Sequence, residues 1–357
     1  MQQNSFLLYG ANGYTGELIA RYAAQYDLQP ILAGRREAPL KELSNRLGLP
    51  YKVISLDDTA ALVQALKEVK LVVHAAGPFH LTARPMVEAC IQAGAHYLDI
   101  NGDIGVFEML REYDQAARAA GIMLLPGAGF DVVPTDCIAV LLKTLIPDAS
   151  DLKLAFAASG AGVSHGTAMS MAYKLGEGGA VRRGGRIIHA PLGHQGRWID
   201  FGAKKLFTMS IPWGDVSTAY FSTRIPNITS YTAISINVYR LLKLQGLFNW
   251  LLRTPLMRNF IKKKIDRRPA GPTDAMRSEA YSLVWGQVYN TTGRKATVKL
   301  NCPDGYTLTM QSCLLMVQKI FKGQWKAGYQ TPGTAYGAEF IMELPGVQRE
   351  IITTAHH

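Results

Sequence analysis

Acidic side chains are scarce in this sequence, 27 against 38 Lys and Arg in 357 residues, which leaves a formal charge of +11. Cysteine is scarcer. Cys90, Cys137, Cys302 and Cys313 stand far apart with no Cys-x-x-Cys pair, which argues against a disulfide framework or a zinc module and for free thiols. No run of about 18 uncharged apolar residues occurs, so no helix is expected to span a membrane. A basic start, apolar stretch and cleavage site do not occur together near Met1, so no leader is expected and the cytoplasm is the default compartment. His and Asp never adopt metal-ligand spacing, and no metal is expected. Charged residues make up 18% and hydrophobic residues 48%, a balance that excludes a disordered or low-complexity chain.

The chain exceeds twice the typical domain length of ~150 residues, so two domains are expected. In the first 150 residues short β-type runs alternate with helical spacings. The runs are Ser5–Tyr9, Pro30–Ala33, Lys52–Leu56, Leu71–Ala75, His96–Ile100 and Ile122–Leu125. Such alternation predicts a doubly wound parallel sheet with helices on both faces, and six strands complete a dinucleotide-binding fold. After about Pro147 the texture changes. A strand is expected at 151–160, and a Gly-rich stretch with Arg182, Arg183 and Arg186 runs on to Gly202. Further strands are expected at Ser217–Ser222 and Ile234–Val238, an antiparallel meander at Ser282–Tyr289, Lys295–Asn301 and Tyr306–Ser312, and a last helix at Gly333–Met342.

The most informative motif directly follows the first strand: Gly10, Asn12, Gly13, Tyr14, Thr15 and Gly16 place three glycines at a spacing of three. In a strand–turn–helix context this spacing lets a pyrophosphate approach the backbone and the N–H groups of the helix start. The second strand ends in Arg35 and Arg36, with no acid before Glu37, which favours the 2′-phosphate of NADP over the free hydroxyl of NAD. Asp57, after the third strand, is placed to accept from the adenine amino group. Ala76, Gly77, Pro78 and Phe79 follow the fourth strand and should pass the nicotinamide ribose. Asn101 and Gly102 end the fifth in a polar, glycine-containing turn, where a ligand site is expected. Asp131 and Asp136 are placed to cap a helix near Pro134.

Together these residues resemble the saccharopine dehydrogenase-like oxidoreductases, in particular the trans-acting enoyl reductase branch. Later stretches carry the likeness further: Ser164–Ala168, Ile211–Val216, Gly271–Thr273 and Thr331–Pro332. Where the family's pattern often has arginine, this chain has His165. The resemblance implies a Rossmann-type NADP-binding domain (1–135), an α+β substrate and dimerisation domain with a mixed or antiparallel sheet (136–328), and a segment returning to the first domain (329–350). It also implies a homodimer and hydride transfer from NADPH to an activated C=C bond of an acyl or lipid substrate, free or carrier-bound. His165 and Asp215 are then the candidate proton donors. Two alternatives stand beside this reading. One is a saccharopine-type C–N reductase that binds a carboxylate through Arg182, Arg183 or Arg186. The other is a non-catalytic NADP-binding scaffold at a lipid surface. Residues 240–268 hold nine basic side chains against one acid, among leucines and aromatics. The pattern suits an interfacial helix at a membrane, a docking face for an acidic carrier, or a core-packed helix pair with a solvated basic face. No nucleic-acid partner is expected.

Overall fold

Leucine-, valine- and tyrosine-rich runs that are buried on both sides build the first sheet. The computed structural model describes residues 4–160, 162–173, 178–243, 254–267 and 269–354. It falls into two units, Met1–Asp131 with Tyr306–Ala335, and Val132–Gly305 with Tyr336–His357.

Unit 1 contains β1 (Ser5–Tyr9), β2 (Gln29–Gly34), β3 (Tyr51–Val53), β4 (Leu71–His74), β5 (His96–Asp99) and β6 (Met123–Leu125). A seventh strand, Gly328–Tyr329, lies beside β6, giving the order Gly328–Tyr329, β6, β5, β4, β1, β2, β3. Every pair is parallel. The strand order turns back between β1 and β4, and a sheet of this kind binds ligands outside the carboxyl ends at that point. All four residues of β4 and of β5 are buried, as sheets covered on both faces require.

The seventh strand was not foreseen, because two residues carry no periodicity. It is held by Gly328 N–H donating to Ile122 O at 2.8 Å and Gln330 N–H donating to Leu124 O at 2.8 Å. The third strand expected in the meander is instead part of a helix, Gly305–Phe321. Tyr306, Leu308, Met310 and Ser312 alternate like a strand, but the buried set continues through Cys313, Leu314, Val317 and Ile320 at helical spacing. This helix and the short strand return the chain to unit 1. The returning segment therefore runs from Tyr306 to Ala335 rather than over 329–350, and unit 2 begins at Val132.

Unit 2 is built on a nine-stranded mixed sheet. Its members are β7 (Asp151–Ser159), β8 (Gly179–Arg183), β9 (Arg186–Ala190), β10 (Gly196–Asp200), β11 (Lys205–Ile211), β12 (Asn227–Ala233), β13 (Tyr281–Tyr289), β14 (Lys295–Pro303) and Gln348–Thr354. The path β10-β11-β12-β7-β13-β14-(348–354) is antiparallel except at β12/β7, and β8 joins β12 and β9. One face packs on the helix Val133–Leu145: a Cβ on Gly286 would stand 2.9 Å from Ile138 and Leu142. The other carries a core of Ala155, Ala157, Ile199, Phe201, Tyr231, Leu283 and Trp285.

Two expected strands are helices here. Ser217–Ser222 falls in Asp215–Thr223, whose Val216, Ala219 and Thr223 are buried on one side. Ile234–Val238 runs into the helix Ile236–Leu242 after Ser235. In the first, packing overrides the β preference of Val and Thr. The expected last helix is split at Gly337 (φ 83°) into Pro332–Tyr336 and a 3₁₀ turn, Ala338–Glu343. Within the basic stretch, the helix Pro255–Asp266 packs Ile261 and Ile265 on Ala168, Met169 and Ala172, while Lys263 and Lys264 are exposed. Residues 244–253 and 268 of that stretch lie outside the described residues. No helix among the described residues is long and apolar enough to cross a membrane.

Candidate cofactor site

The turn after β1 is shaped by what it excludes. Gly10 has φ 86°, and a Cβ there would lie 2.7 Å from Ala76 N. At Gly16 a Cβ would collide with Gly10 O and stand 2.9 Å from Ala11 Cα. Backbone therefore approaches backbone where a diphosphate would need access. The helix Tyr14–Tyr22 starts at Gly13, which offers its first N–H groups no side-chain cap. Those groups have no partner within the helix, and its dipole favours an anion. A dinucleotide's diphosphate fits this cradle. Thr15 stands in the first turn, half-buried, and Tyr14 meets Tyr306 edge-on at 5.0 Å.

The ends of β2 and β3 gather charge around one tyrosine. Burial raises the pKa of Tyr9, Arg35 lowers it and Asp57 raises it, so both charged groups lie near enough to act on it. Tyr9 donates to Ile54 O at 3.0 Å, tying β1 to the segment after β3. Arg35 and Arg36 are exposed, and neither forms an ion pair among the described residues. Asn12 Oδ1 lies over Gly34, 3.3 Å from where a Cβ would be. The sequence reading missed Tyr9, whose place as the last residue of β1 was its signal.

At the end of β4 the loop Ala76-Gly77-Pro78-Phe79 is locked by two residues the sequence reading passed over. Thr82 donates to Ala76 O at 2.7 Å, and His74 Nε2 lies 3.0 Å from both Thr82 Oγ1 and Ala76 O. Burial pushes the His74 pKa down to about 4, so the ring is neutral, and Phe79 packs on it at 5.4 Å. Its Nδ1 has no hydrogen-bond partner among the described residues.

Asp99 organises the end of β5. Its buried carboxylate accepts from Tyr97 Oη at 2.7 Å, Asn101 Nδ2 at 2.7 Å and Gly127 N at 2.8 Å. Burial raises its pKa, and these donors offset only part of the rise. Asn101, expected to meet the cofactor, is 1% exposed, and its Oδ1 accepts from Asp103 N at 2.9 Å. Both ends of its amide thus build the strand terminus. Gly102 has the Asp131 carboxylate beside it, where a side chain would clash.

The acid candidates lie in unit 2. His165 begins the helix His165–Tyr173 with its ring partly exposed, and its Nε2 is 2.9 Å from Asp266 Oδ1. Asp215 is 1% exposed, and its carboxylate accepts from Thr135 Oγ1 at 2.6 Å and Ser230 Oγ at 3.2 Å. Arg182 is buried: Nε donates to Val216 O and Nη1 to Gly185 O, each at 2.6 Å, and its guanidinium sits 4.0 Å over the Tyr220 ring. The helix Val133–Leu145 has no side-chain cap at its start. Asp136 instead accepts from Ser222 at 2.5 Å. Among the described residues no cluster of three or more His, Cys, Asp or Glu can hold a metal.

Residues 6–125 match the family model of the saccharopine dehydrogenase NADP binding domain. A saccharopine dehydrogenase-like oxidoreductase of Mus musculus is 25% identical over 202 residues, 50% of this chain and 47% of that protein. A trans-acting enoyl reductase of Mycobacterium ulcerans is 29% identical over 138 residues, 36% and 33% of the two chains. These matches span about half the length of the curated relatives or less. Saccharopine dehydrogenase (L-Glu forming) from Saccharomyces cerevisiae shares the fold, with a TM-score of 0.65 over 99% of this chain and 100% of that one, at 14% identity. The first part of unit 1 is an NADP-binding domain.

Proposed function

We propose, from an N-terminal unit that is an NADP-binding domain, that this protein is an NADPH-dependent oxidoreductase whose substrate is an activated C=C bond in an acyl chain. The observation that carries the reading is the glycine turn joined to two arginines at the end of β2 that have no ion-pair partner among the described residues. Bound there, NADPH supplies a hydride. The chain's own residues do the rest. Gly10, Asn12, Gly13, Tyr14, Thr15 and Gly16 admit and orient the diphosphate, and Arg35 and Arg36 meet the 2′-phosphate through charge-assisted bonds. Asp57 receives the adenine edge. His74 and Thr82 fix the loop 76–79 against the nicotinamide side. His165 suits the proton source, because its ring reaches solvent and Asp266, 2.9 Å from Nε2, holds the ring orientation. Asp215, occupied by two hydroxyl donors, holds Thr135 and Ser230 in place instead.

The choice of C=C rests on the likeness to the Mycobacterium ulcerans enoyl reductase. The test follows NADPH oxidation with a long-chain 2-enoyl thioester, beside a mixture of a primary amine and an aldehyde that presents a C=N bond. Turnover of the thioester alone supports the proposal. Turnover of the C=N mixture alone replaces it with imine reduction, and cofactor binding with neither would leave a non-catalytic NADP-binding scaffold.

A further inference from the structure

The sheet of unit 2 assembles cations on one of its faces. Register places Lys153 of β7 between Thr229 of β12 and Gln287 of β13, and the next row on that face is Tyr231, Ala155 and Trp285. Three basic side chains converge over these rows. Lys153 Nζ stands 4.7 Å from the Tyr289 ring centroid, and the Arg197 guanidinium stands 5.4 Å from Trp285 and 5.9 Å from Tyr231. Arg183 Nη2 donates to Thr229 Oγ1 at 3.1 Å.

No carboxylate within 4.0 Å balances any of the three among the described residues. The one acid acting on Lys153 is Asp151, which also accepts from Ser150 Oγ at 2.8 Å. Three cations against this one carboxylate leave two positive charges over the buried rings of Tyr231 and Trp285 and the half-buried ring of Tyr289. The repulsion is felt: burial, then Arg197 and Arg183, lower the pKa of Lys153, and Arg183 and Lys243 add to the burial that lowers His194. Desolvated like charges cost stability unless an anion joins them. Arginine forks match phosphate oxygens, and two excess charges match a dianion better than a carboxylate.

We propose that Lys153, Arg183 and Arg197 on this face form a binding site for a phosphate dianion, either free phosphate or a phosphate ester on an organic ligand. The site lies wholly within unit 2 and stands whether or not the protein turns over NADPH.

The test uses full-length protein saturated with NADPH, so that the cofactor's own phosphate site is filled. Inorganic phosphate, phenyl phosphate and acetate are titrated at constant ionic strength against the thermal midpoint. The expected result is a saturable rise with a phosphate that acetate does not reproduce. Lys153→Met and Arg197→Met should each weaken it at least ten-fold. Tighter phenyl phosphate than inorganic phosphate assigns an ester ligand, and the reverse assigns free phosphate. In phosphate-free buffer the variants should melt no lower than the parent, since each removes a repelling charge. A second readout needs no variant: phosphate should slow acetylation of Lys153 at least five-fold, read by peptide mass spectrometry, and leave exposed Lys204 unaffected. Equal response to acetate, no saturable response, or variants that melt lower without phosphate while binding it unchanged would overturn the proposal.

Discussion

A methyl group on Gly16 would meet backbone on two sides, Gly10 O and Ala11 Cα. Neither neighbour can yield as a flexible side chain would. Gly16→Ala should therefore weaken NADPH binding at least ten-fold and cost about 1–3 kcal/mol of stability, as cofactor titration and denaturant melts would show. The buried histidines give a prediction with a sign. Burial holds both His74 and His96 at about 4, against 6.5 unperturbed. Above pH 6.5 neither the folded nor the unfolded chain takes up these protons. Between 6.5 and 4 only the unfolded chain does, so stability is lost as pH falls through that window, by about 1.4 kcal/mol per pH unit and ring. His96 has a structural reason to resist protonation, since its Nδ1 accepts from Met123 N at 3.0 Å. Stability measured across this range should fall, and His74→Phe should remove one ring's share of the slope. A slope that the variant does not change would contradict the assignment. The glycines and Arg35 could be read from spacing because each follows a strand directly. His74, Thr82 and Asp99 could not, because a buried polar residue at a strand end looks the same in sequence whether it binds a ligand or its own loop.

Among the elements, the helix Gly305–Phe321 did not show itself in the sequence, although unit 1 depends on it. Ser312 Oγ donates to Ala128 O at 2.6 Å, Thr309 Oγ1 accepts from Phe130 N at 2.9 Å, and Lys70 Nζ reaches Ile320 O at 3.1 Å. Its partners are some 180 to 250 residues away in the chain, beyond the reach of any local pattern. The strands β1, β2, β4 and β5 were visible to within two residues because continuous apolar runs bounded by Gly or polar residues are local signals. Asp215–Thr223 was misread because Val, Ser and Thr suit either state, and the choice falls to what the element packs against. One consequence is testable: residues 1–131 expressed alone should lack the cooperative melt and near-ultraviolet signal of the whole protein, and residues 306–335 supplied as a fused segment should restore both. A fragment 1–131 that melts cooperatively at the parent's temperature would show that the returning segment only decorates the unit.

Across the whole molecule, the excess of positive charge is put to different uses. Arg35 and Arg36 stand without ion-pair partners among the described residues at the cofactor strand ends, Lys153, Arg183 and Arg197 crowd the sheet of unit 2, and Lys263 and Lys264 face solvent beside a packed Ile265. The account turns on the first of these, because the choice of cofactor follows from it. The most direct measurement compares the dissociation constants of NADPH and NADH for the parent and for an Arg35→Gln/Arg36→Gln double variant, at low and moderate salt. The parent should prefer NADPH by at least 100-fold. The variant should lose most of that preference through weaker NADPH binding, with NADH changed less than three-fold, as expected when a charge-assisted pair worth about 1.5–3 kcal/mol is removed. Equal affinity of the parent for the two dinucleotides, or a variant that keeps its preference for NADPH, would contradict it.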